Sequence, residues 1–484
     1  MPQVVSQPES KAAHAKPLCV DLDGTLVKSD TLIDSLLVLA RTHPLLLFHL
    51  PGKVLHGKAA FKAFVTENVT LDVAHLPYNR RLLQFLEREH NDGRAIHLAT
   101  GADSRLAHRV ADHLGIFAGV LGSDGVNNLT GSIKLDSLQK RFGVGEFAYI
   151  GNDTPDLAVM AGAAESMVAN PSARLRSRLR VQGIVPTQCF EERSSTWRAL
   201  LKALRPHQWA KNLLILLPPL LAHNHSMGLL ASALLAFACF CSTASGAYLV
   251  NDLLDIEADR RSAKKRLRPF ASGDLAPATG LIAVAVLFAA SFAAARLLPG
   301  AFTFWLLIYL GSTLAYSFYL KRIALVDVVV LSGLYTLRLI AGGAATGTPI
   351  SRWLAGFAIF LFLSLAIVKR FAELENLRLT GTQLKNGRGY LMTDIEQIRS
   401  FGTASAFAAV VVFANYISGP DVTALYHHAP RLWLIVPCLV LWLCRVWLLA
   451  SRGDLDEDPV AFALTDAASL AIGAAVVLIV LLAL

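Results

Sequence analysis

Charge is scarce in this chain: only 17% of its 484 residues are Asp, Glu, Lys or Arg, while 54% are hydrophobic. Such a composition excludes an ordinary soluble enzyme of this length and predicts a protein largely embedded in a membrane. Cysteine is sparse too. The six, Cys19, Cys189, Cys239, Cys241, Cys438 and Cys444, show no CxxC spacing, so neither a disulfide framework nor a zinc site is predicted. The fourteen histidines lack ligand spacing as well, and His207, His427 and His428 are expected at an interface rather than on a metal. No GxGxxG, P-loop or internal repeat is present. "MPQVVSQPESKAAHAK" lacks the apolar core of a signal peptide, which predicts an uncleaved, disordered, cytoplasmic tail over residues 1–16.

What charge there is has a sign and a place. The net +9 gathers in loops beside apolar segments, which favours membrane topology and anionic substrates over nucleic acid. Residues 17–190 read as a mixed, charged, soluble domain and 191–204 as a linker, with nearly every long apolar window following in 205–484. Nine candidate spans are predicted there, at about 210–223, 229–251, 279–298, 301–319, 327–345, 353–370, 403–418, 432–450 and 463–484. The loops "DIEADRRSAKKRLRPF", "YLKR" and "KRFAELENLRLTGTQLKNGRGY" are rich in Lys and Arg, whereas "HNHSMG", "LPG" and "GPDVTALYHHAPR" hold almost none. The positive-inside rule therefore predicts a multi-pass protein of the inner (plasma) membrane with the basic loops and the soluble domain on the cytoplasmic side.

Two clusters in the membrane half carry chemistry. In "NDLLDIEADRRSAKKRLRPF", Asp252, Asp255 and Asp259 are three and four residues apart, predicting one helix face after Asn251. Clustered carboxylates repel unless a cation sits among them, and an all-oxygen set suits Mg²⁺ shared with substrate phosphates. The bases that follow, including Lys265, Arg266 and Arg268, supply counter-charge for oxyanions. A plain helix end followed by a topology-setting loop is the alternative. In the second cluster Asp327 and Arg338 lie eleven residues apart, about 16 Å along one helix face. Lys211, Lys321, Arg322, Lys369 and Arg370 are further cationic candidates, and each of the last four equally fits an orientation charge.

These residues resemble the UbiA superfamily of intramembrane prenyltransferases over about 200–484. Its NDxxDxxxD motif, which binds Mg²⁺ and a substrate diphosphate, is matched at Asn251, Asp252, Asp255 and Asp259. Quinone-pathway members usually pair the second aspartate, but Leu331 stands four residues after Asp327, which weakens an aromatic-prenylation reading. "LRPHQWAKNLLILLPPL", "YSFYLKRIALVDVVVLSGLYTLRLIAGG" and "FLSLAIVKRFAEL" are similar instead to the decaprenyl-phosphate phosphoribosyltransferases. That resemblance implies transfer of 5-phosphoribose from phosphoribosyl pyrophosphate to a polyprenyl phosphate, with Asp252 and Asp255 central and the cationic residues holding phosphates. An aromatic prenyltransferase using a polyprenyl diphosphate is the rival, and a homo-oligomer is left open.

In the soluble half "KPLCVDLDGTLVKSD" places Asp21 and Asp23 in a Gly-containing turn after a short apolar strand. A carboxylate nucleophile beside Mg²⁺, with a second acid to protonate the leaving group, needs that arrangement. "DLDGTL" resembles the haloacid dehalogenase superfamily, mostly phosphatases, over 17 to about 185, implying a Rossmann-like α/β domain with a small helical cap at 30–90 and a second Mg²⁺. The resemblance assigns Thr100 and Lys134 to phosphate, and Asn152, Asp153 and Asp156 to the metal together with Asp21 and Asp23. Asn152 stands where the first acid is usual. The apolar run "SLLVLARTHPLLLFHL" is either cap core or a membrane-docking surface, and a phosphatase fold retained as a scaffold is the non-catalytic alternative. The fold expected is thus an α/β domain followed by an all-α bundle of about nine membrane helices.

Overall fold

A computed structural model of the chain describes residues 16–192, 194–223, 226–379, 389–455 and 459–484. All but one residue of the predicted 1–16 tail lies outside them. The chain divides into two compact units, one comprising Met1–Ala203 with Asp252–Ile282, the other Leu204–Asn251 with Ala283–Leu484. Across the boundary expected at 205, Asp252–Ile282 groups with the first unit, where Arg260 pairs with Asp34 and Arg261 with Asp72. The expected linker 191–204 also contains structure, the helix Thr196–Leu204.

The first unit is built on a six-stranded sheet of order β3-β2-β1-β4-β5-β6, every pair parallel. The strands are β1 (Leu18–Val20), β2 (Ile96–Asp103), β3 (Gly119–Ser123), β4 (Ala148–Gly151), β5 (Glu165–Ala169) and β6 (Cys189–Phe190). A parallel sheet must be covered on both faces, and the alternation of side chains divides its residues accordingly. Leu18, Val20, Ile96, Leu98 and Ile150 enter one core cluster, while Cys19, Ala99, Tyr149 and Val168 enter another. The strand order turns at β1, between β2 and β4, so the loops after β1 and β4 flank the crevice where parallel sheets place ligands.

Between β1 and β2 the chain inserts helices, as expected of 30–90: Thr31–Thr42, Leu50–Leu55, Lys58–Asn68 and Arg80–Asn91. Asp30 starts the first by accepting from the Leu32 and Ile33 amides. The apolar run divides at Pro44. Val38 and Leu39 are buried, but from Pro44 to Leu55 no residue is, and Phe48 and Leu55 are 83% and 88% exposed.

In the second unit the expected nine spans become fewer. Among the described residues, seven helices are long and apolar enough to cross a membrane: Met227–Leu254, Pro277–Ala295, Gly300–Phe318, Val326–Thr346, Arg352–Leu379, Met392–Ile417 and Ala429–Ser451. The segment near 210–223 is instead a 3₁₀ helix, Pro206–Leu216, followed by Leu217–Leu221, where Pro218 and Pro219 withhold amide donors. Near 463–484 the side chain of Asp466 caps a fresh helix, Ala467–Ala483, whose 17 residues reach about 26 Å at 1.5 Å each. Several polar groups inside the bundle are paired, although the buried Thr313 hydroxyl has no hydrogen-bond partner among the described residues. Thr243 and Ser291 share a 2.8 Å hydrogen bond, and Ser364 Oγ donates to the Gly402 carbonyl while accepting from Trp447 Nε1.

Candidate functional site

Asp21 directly follows β1, in a loop that turns back through Gly24 at φ +74°. A side chain there would be strained, and its Cβ would stand 2.1 Å from Asn152 Nδ2, so the Asn152 amide packs on bare backbone. Lys134, in the helix Gly131–Phe142, is buried and donates to Asp21 Oδ1 (2.8 Å), Tyr149 Oη (2.9 Å) and Asp156 Oδ1 (3.4 Å). Tyr149 Oη donates in turn to Asp156 (2.6 Å), whose other oxygen accepts from the amides of Asn152 and Asp153. Asp23 accepts from the Thr31 amide at 2.7 Å. Asp153 is held by Ser172 Oγ at 2.7 Å.

Burial sets the electrostatics. It pushes the Asp21 carboxyl up to about 6 against the pull of Lys134, and the Asp23 carboxyl up to about 7 with help from Asp30. Burial alone would lower Lys134, but the Asp21 and Asp156 carboxylates more than offset it and hold the ammonium charged. Asp21, Asp23, Lys134, Asn152, Asp153 and Asp156 all line one cavity of about 480 Å³. Thr100 does not. It is fully buried, its hydroxyl accepts from the Ala102 amide, and its neighbour Gly101 reaches the cavity. Sequence reasoning missed Lys62 and Lys28 on the lining, Tyr149 beneath it, and a wall made by Gly273, Leu275, Ala276 and Pro277. No local signal marks the tyrosine as a site residue, and none joins residue 273 to residue 21.

The diphosphate-motif acids are arranged differently from expectation. The helix Met227–Leu254 stops before Asp255 (φ −95°, ψ 8°), and Ile256–Arg261 restarts beyond it, so the three acids do not share one face. Asp252 and Asp259, both buried, converge on Arg268 Nη1 at 3.1 and 2.7 Å. Asp255 faces Arg41 of the helix Thr31–Thr42 at 3.3 Å. Burial pushes the Asp259 carboxyl up, opposed by Arg268. One guanidinium thus holds two carboxylates where a divalent cation with oxygen ligands would also fit. Among the described residues no group of three or more His, Cys, Asp or Glu side chains is arranged to hold a metal ion. Lys265 and Arg266 are exposed.

In the second unit Lys321 Nζ donates to Asn251 Oδ1 at 3.1 Å. Asp327 is fully buried, bonded by Arg370 Nε at 2.6 Å and by Tyr390 Oη, while Arg370 also reaches Glu373 and Tyr316. Asp327 therefore meets Arg370 rather than Arg338, a pairing across helices that spacing along one helix cannot show. Arg338 donates to Asn212 Oδ1 (2.8 Å), the Leu334 carbonyl (2.6 Å) and Tyr309 Oη (3.1 Å), between the rings of Tyr309 and Tyr335. Lys211 Nζ lies 5.7 Å from the Tyr335 ring centre. Arg322 is exposed and Lys369 half-buried.

Seven apolar helices, intramembrane Arg and Asp side chains, and an acidic motif at a span's end define a multi-pass membrane protein of the transferase type. A model of the UbiA prenyltransferase family matches residues 213–479, and the chain belongs to that family. It is 36% identical over 467 residues to the uncharacterized protein y4nM of Sinorhizobium fredii, spanning 95% of this chain and 89% of that one. Against decaprenyl-phosphate phosphoribosyltransferase of Mycobacterium tuberculosis it is 37% identical over 220 residues, spanning 44% of this chain and 72% of that one. Among solved structures, a UbiA homolog from Archaeoglobus fulgidus bound to GPP and Mg²⁺ is 18% identical, spans 58% of this chain and 99% of that one, and gives a TM-score of 0.44.

Proposed function

We propose that the chain transfers 5-phosphoribose from phosphoribosyl pyrophosphate to a polyprenyl phosphate, and that its soluble fold then removes the 5-phosphate. The similarity to decaprenyl-phosphate phosphoribosyltransferase carries the first half. In the transfer, an oxygen of the lipid phosphate attacks ribose C1, the bond from C1 to the diphosphate breaks, and diphosphate leaves. Asp252, Asp255 and Asp259 would hold Mg²⁺, which supplies charge neutralisation of the leaving diphosphate. Arg268, Lys265 and Arg266 offer it cationic hydrogen bonds, while Lys211, Lys321, Arg322, Arg338 and Lys369 are the candidates for the lipid phosphate and the ribose 5-phosphate. No general base is required, since the acceptor is already an anion.

The cluster of Asp21, Asp23 and Lys134 in one cavity supports the second half. Asp21 attacks the phosphorus, the bond to the ribose O5 breaks, and Asp23 gives that oxygen its proton. Water, deprotonated by Asp23, then releases inorganic phosphate and restores Asp21. Asp21, Asp23, Asn152, Asp153 and Asp156 would hold a second Mg²⁺, which would supply charge neutralisation of the phosphoryl group. The basic loops support a cytoplasmic location for both centres.

One experiment tests both halves. Purified protein with Mg²⁺ receives either phosphoribosyl pyrophosphate and polyprenyl phosphate, or polyprenyl diphosphate and 4-hydroxybenzoate. Product only in the second mixture overturns the transfer assignment. In the first mixture Asp21→Asn should accumulate phosphoribosylated lipid and release no phosphate, and phosphate release at the wild-type rate overturns the role of the cavity.

A further inference from the structure

Burial divides the run Pro44–Leu55 into two faces. Leu46, Leu47 and Leu50 pack against the core that contains Val38 and Leu39. Leu45, Phe48, Val54 and Leu55 turn away from it and are 75%, 83%, 56% and 88% exposed. Pro44–His49 is a 3₁₀ helix, with about three residues per turn, so Leu45 and Phe48 stack one above the other. Leu55 continues the row two α-helical turns after Phe48. Large apolar side chains gathered on one outer face mark a surface that something covers.

The same unit contains the ends of two membrane spans. Met227–Leu254 finishes at Leu254 and Pro277–Ala295 starts at Pro277, and both ends fall inside Asp252–Ile282. The charged stretch between them cannot cross a bilayer, so both ends lie at one membrane face. With 28 residues, Met227–Leu254 reaches about 42 Å, beyond the about 30 Å of hydrocarbon, so its ends stand among head groups. Arg41 ties the exposed run to that level. Its Nη1 donates to the Leu254 carbonyl and meets Asp255 Oδ1, each at 3.3 Å. Pro44 follows three residues later, at most about 11 Å of extended chain.

Charge points to the same occupant. No acidic residue occurs between Asp34 and Glu67, while Lys53 and Lys58, both exposed, flank the end of the run. Lys53 also stands over the Phe64 ring, 5.2 Å from its centre, which leaves its ammonium at the outer surface. An apolar row bordered by bases and free of acids suits lipid phosphates and acyl chains. A second copy of this face would instead set the same bases against one another.

We propose that Pro44–Leu55 lies in the lipid surface, with Leu45, Phe48, Val54 and Leu55 inserted between the head groups and upper acyl chains of the membrane face at which Met227–Leu254 ends. Leu46, Leu47 and Leu50 keep the run on the core of the first unit. The inserted helices between β1 and β2 are thereby held twice, by Arg41 at the span end and by the apolar row in lipid. This contact is independent of which reaction the cavity of Asp21 carries.

Photolabelling of the full chain tests it, in nanodiscs of phosphatidylethanolamine and phosphatidylglycerol that contain a phospholipid with a diazirine high on its acyl chain. After illumination and trypsin, label is read in peptides 42–53 and 54–58. Peptide 181–193 is the comparison, since Val181 and Val185 are 85% and 83% exposed in the same unit. Label per residue in 42–53 should exceed that in 181–193 by at least about tenfold. Phe48→Glu combined with Leu55→Glu should cut it by at least about fivefold, while label in the peptide carrying Pro277–Ala295 stays within about twofold. Both substituted side chains are exposed, so the core of the unit is preserved. Label in 42–53 no higher than in 181–193 overturns the proposal, whether the run then meets water or a second copy. Label that persists undiminished in the double variant overturns it too, because the apolar row would not be what holds the run in lipid.

Discussion

Replacing Arg260 with Met should open the contact between the acidic motif and the helix Thr31–Thr42. Arg260 directly follows Asp259, and its side chain is buried against a fully buried Asp34. Its Nη1 reaches Asp34 Oδ2 at 2.8 Å, Nη2 reaches Ser29 Oγ at 3.1 Å, and Nε reaches the Ala271 carbonyl at 3.2 Å. Asp34 has little else to rely on. Ser29 Oγ donates to the same Oδ2 at 2.6 Å, and Oδ1 has no hydrogen-bond partner among the described residues. Removing the guanidinium leaves an uncompensated carboxylate in the interior, which costs about 3–5 kcal/mol. At about 1.4 kcal/mol per factor of ten, local opening should rise by about two to three and a half orders of magnitude. Hydrogen exchange in lipid nanodiscs reads this directly, in peptides covering Thr31–Thr42 and Ile256–Arg261. Asp34→Leu in the same chain removes the stranded charge, and the double variant should recover about 2–3 kcal/mol of the sum of the single effects. The reasoning fails if Arg260→Met exchanges within about threefold of the wild type, or if the double variant is additive to within about 0.5 kcal/mol.

Other perturbations separate the centres. Asp252→Asn should lower transfer by about 10²–10³-fold, because a neutral amide replaces the carboxylate shared with Arg268, and activity within about threefold of the wild type would remove Asp252 from the reaction. Phosphate release should follow a bell in pH: Asp21 must be ionised, so activity falls as pH drops through about 6, and Asp23 must carry a proton, so it falls again as pH rises through about 7. A profile flat from pH 5 to pH 8 contradicts those roles. Arg370→Ala strands the buried Asp327 and should cost about 3–5 kcal/mol in thermal unfolding, with Arg370→Lys recovering only part, since a single ammonium cannot serve Asp327, Glu373 and Tyr316 together. Equal melting of the Lys variant and the wild type would refute the need for the planar fork.

Local motifs proved legible where the chemistry is carried by neighbours in sequence. Asp21 and Asp23 follow a strand, and Asp153 and Asp156 follow its partner β4, so strand ends in a parallel sheet were enough to gather them. The contacts that depend on chain crossings were not legible. Nothing around Arg370 points to Asp327, 43 residues away, nor anything around Arg260 to Asp34, 226 residues away. Periodicity misjudged the motif itself. Spacing of three and four residues implies one helix face only if the helix continues, and here it breaks at Asp255, whose carboxylate turns to Arg41. Hydropathy alone likewise counted spans at 210–223 and 463–484, since it does not register what two adjacent prolines or a capping Asp466 do to helix length.

The basic run after the motif looks uniform as sequence, and a topological rule treats its charges as interchangeable. The pairings show that they are not. Arg260 is buried on Asp34, Arg261 is itself exposed but meets Asp72 at 2.7 Å, and Arg268 holds Asp252 and Asp259, while Lys264, Lys265 and Arg266 are exposed. Only the last three are disposed as a simple orientation signal would be. Three of the six bases are arginines committed to named carboxylates, where a forked guanidinium outperforms an ammonium. Neutralising Lys264 and Lys265 should therefore leave the fold intact, whereas Lys in place of Arg260 or Arg268 should not be tolerated equally. A run of like charge at a membrane boundary thus divides by residue type, the lysines remaining in solvent and three of the four arginines pairing with carboxylates.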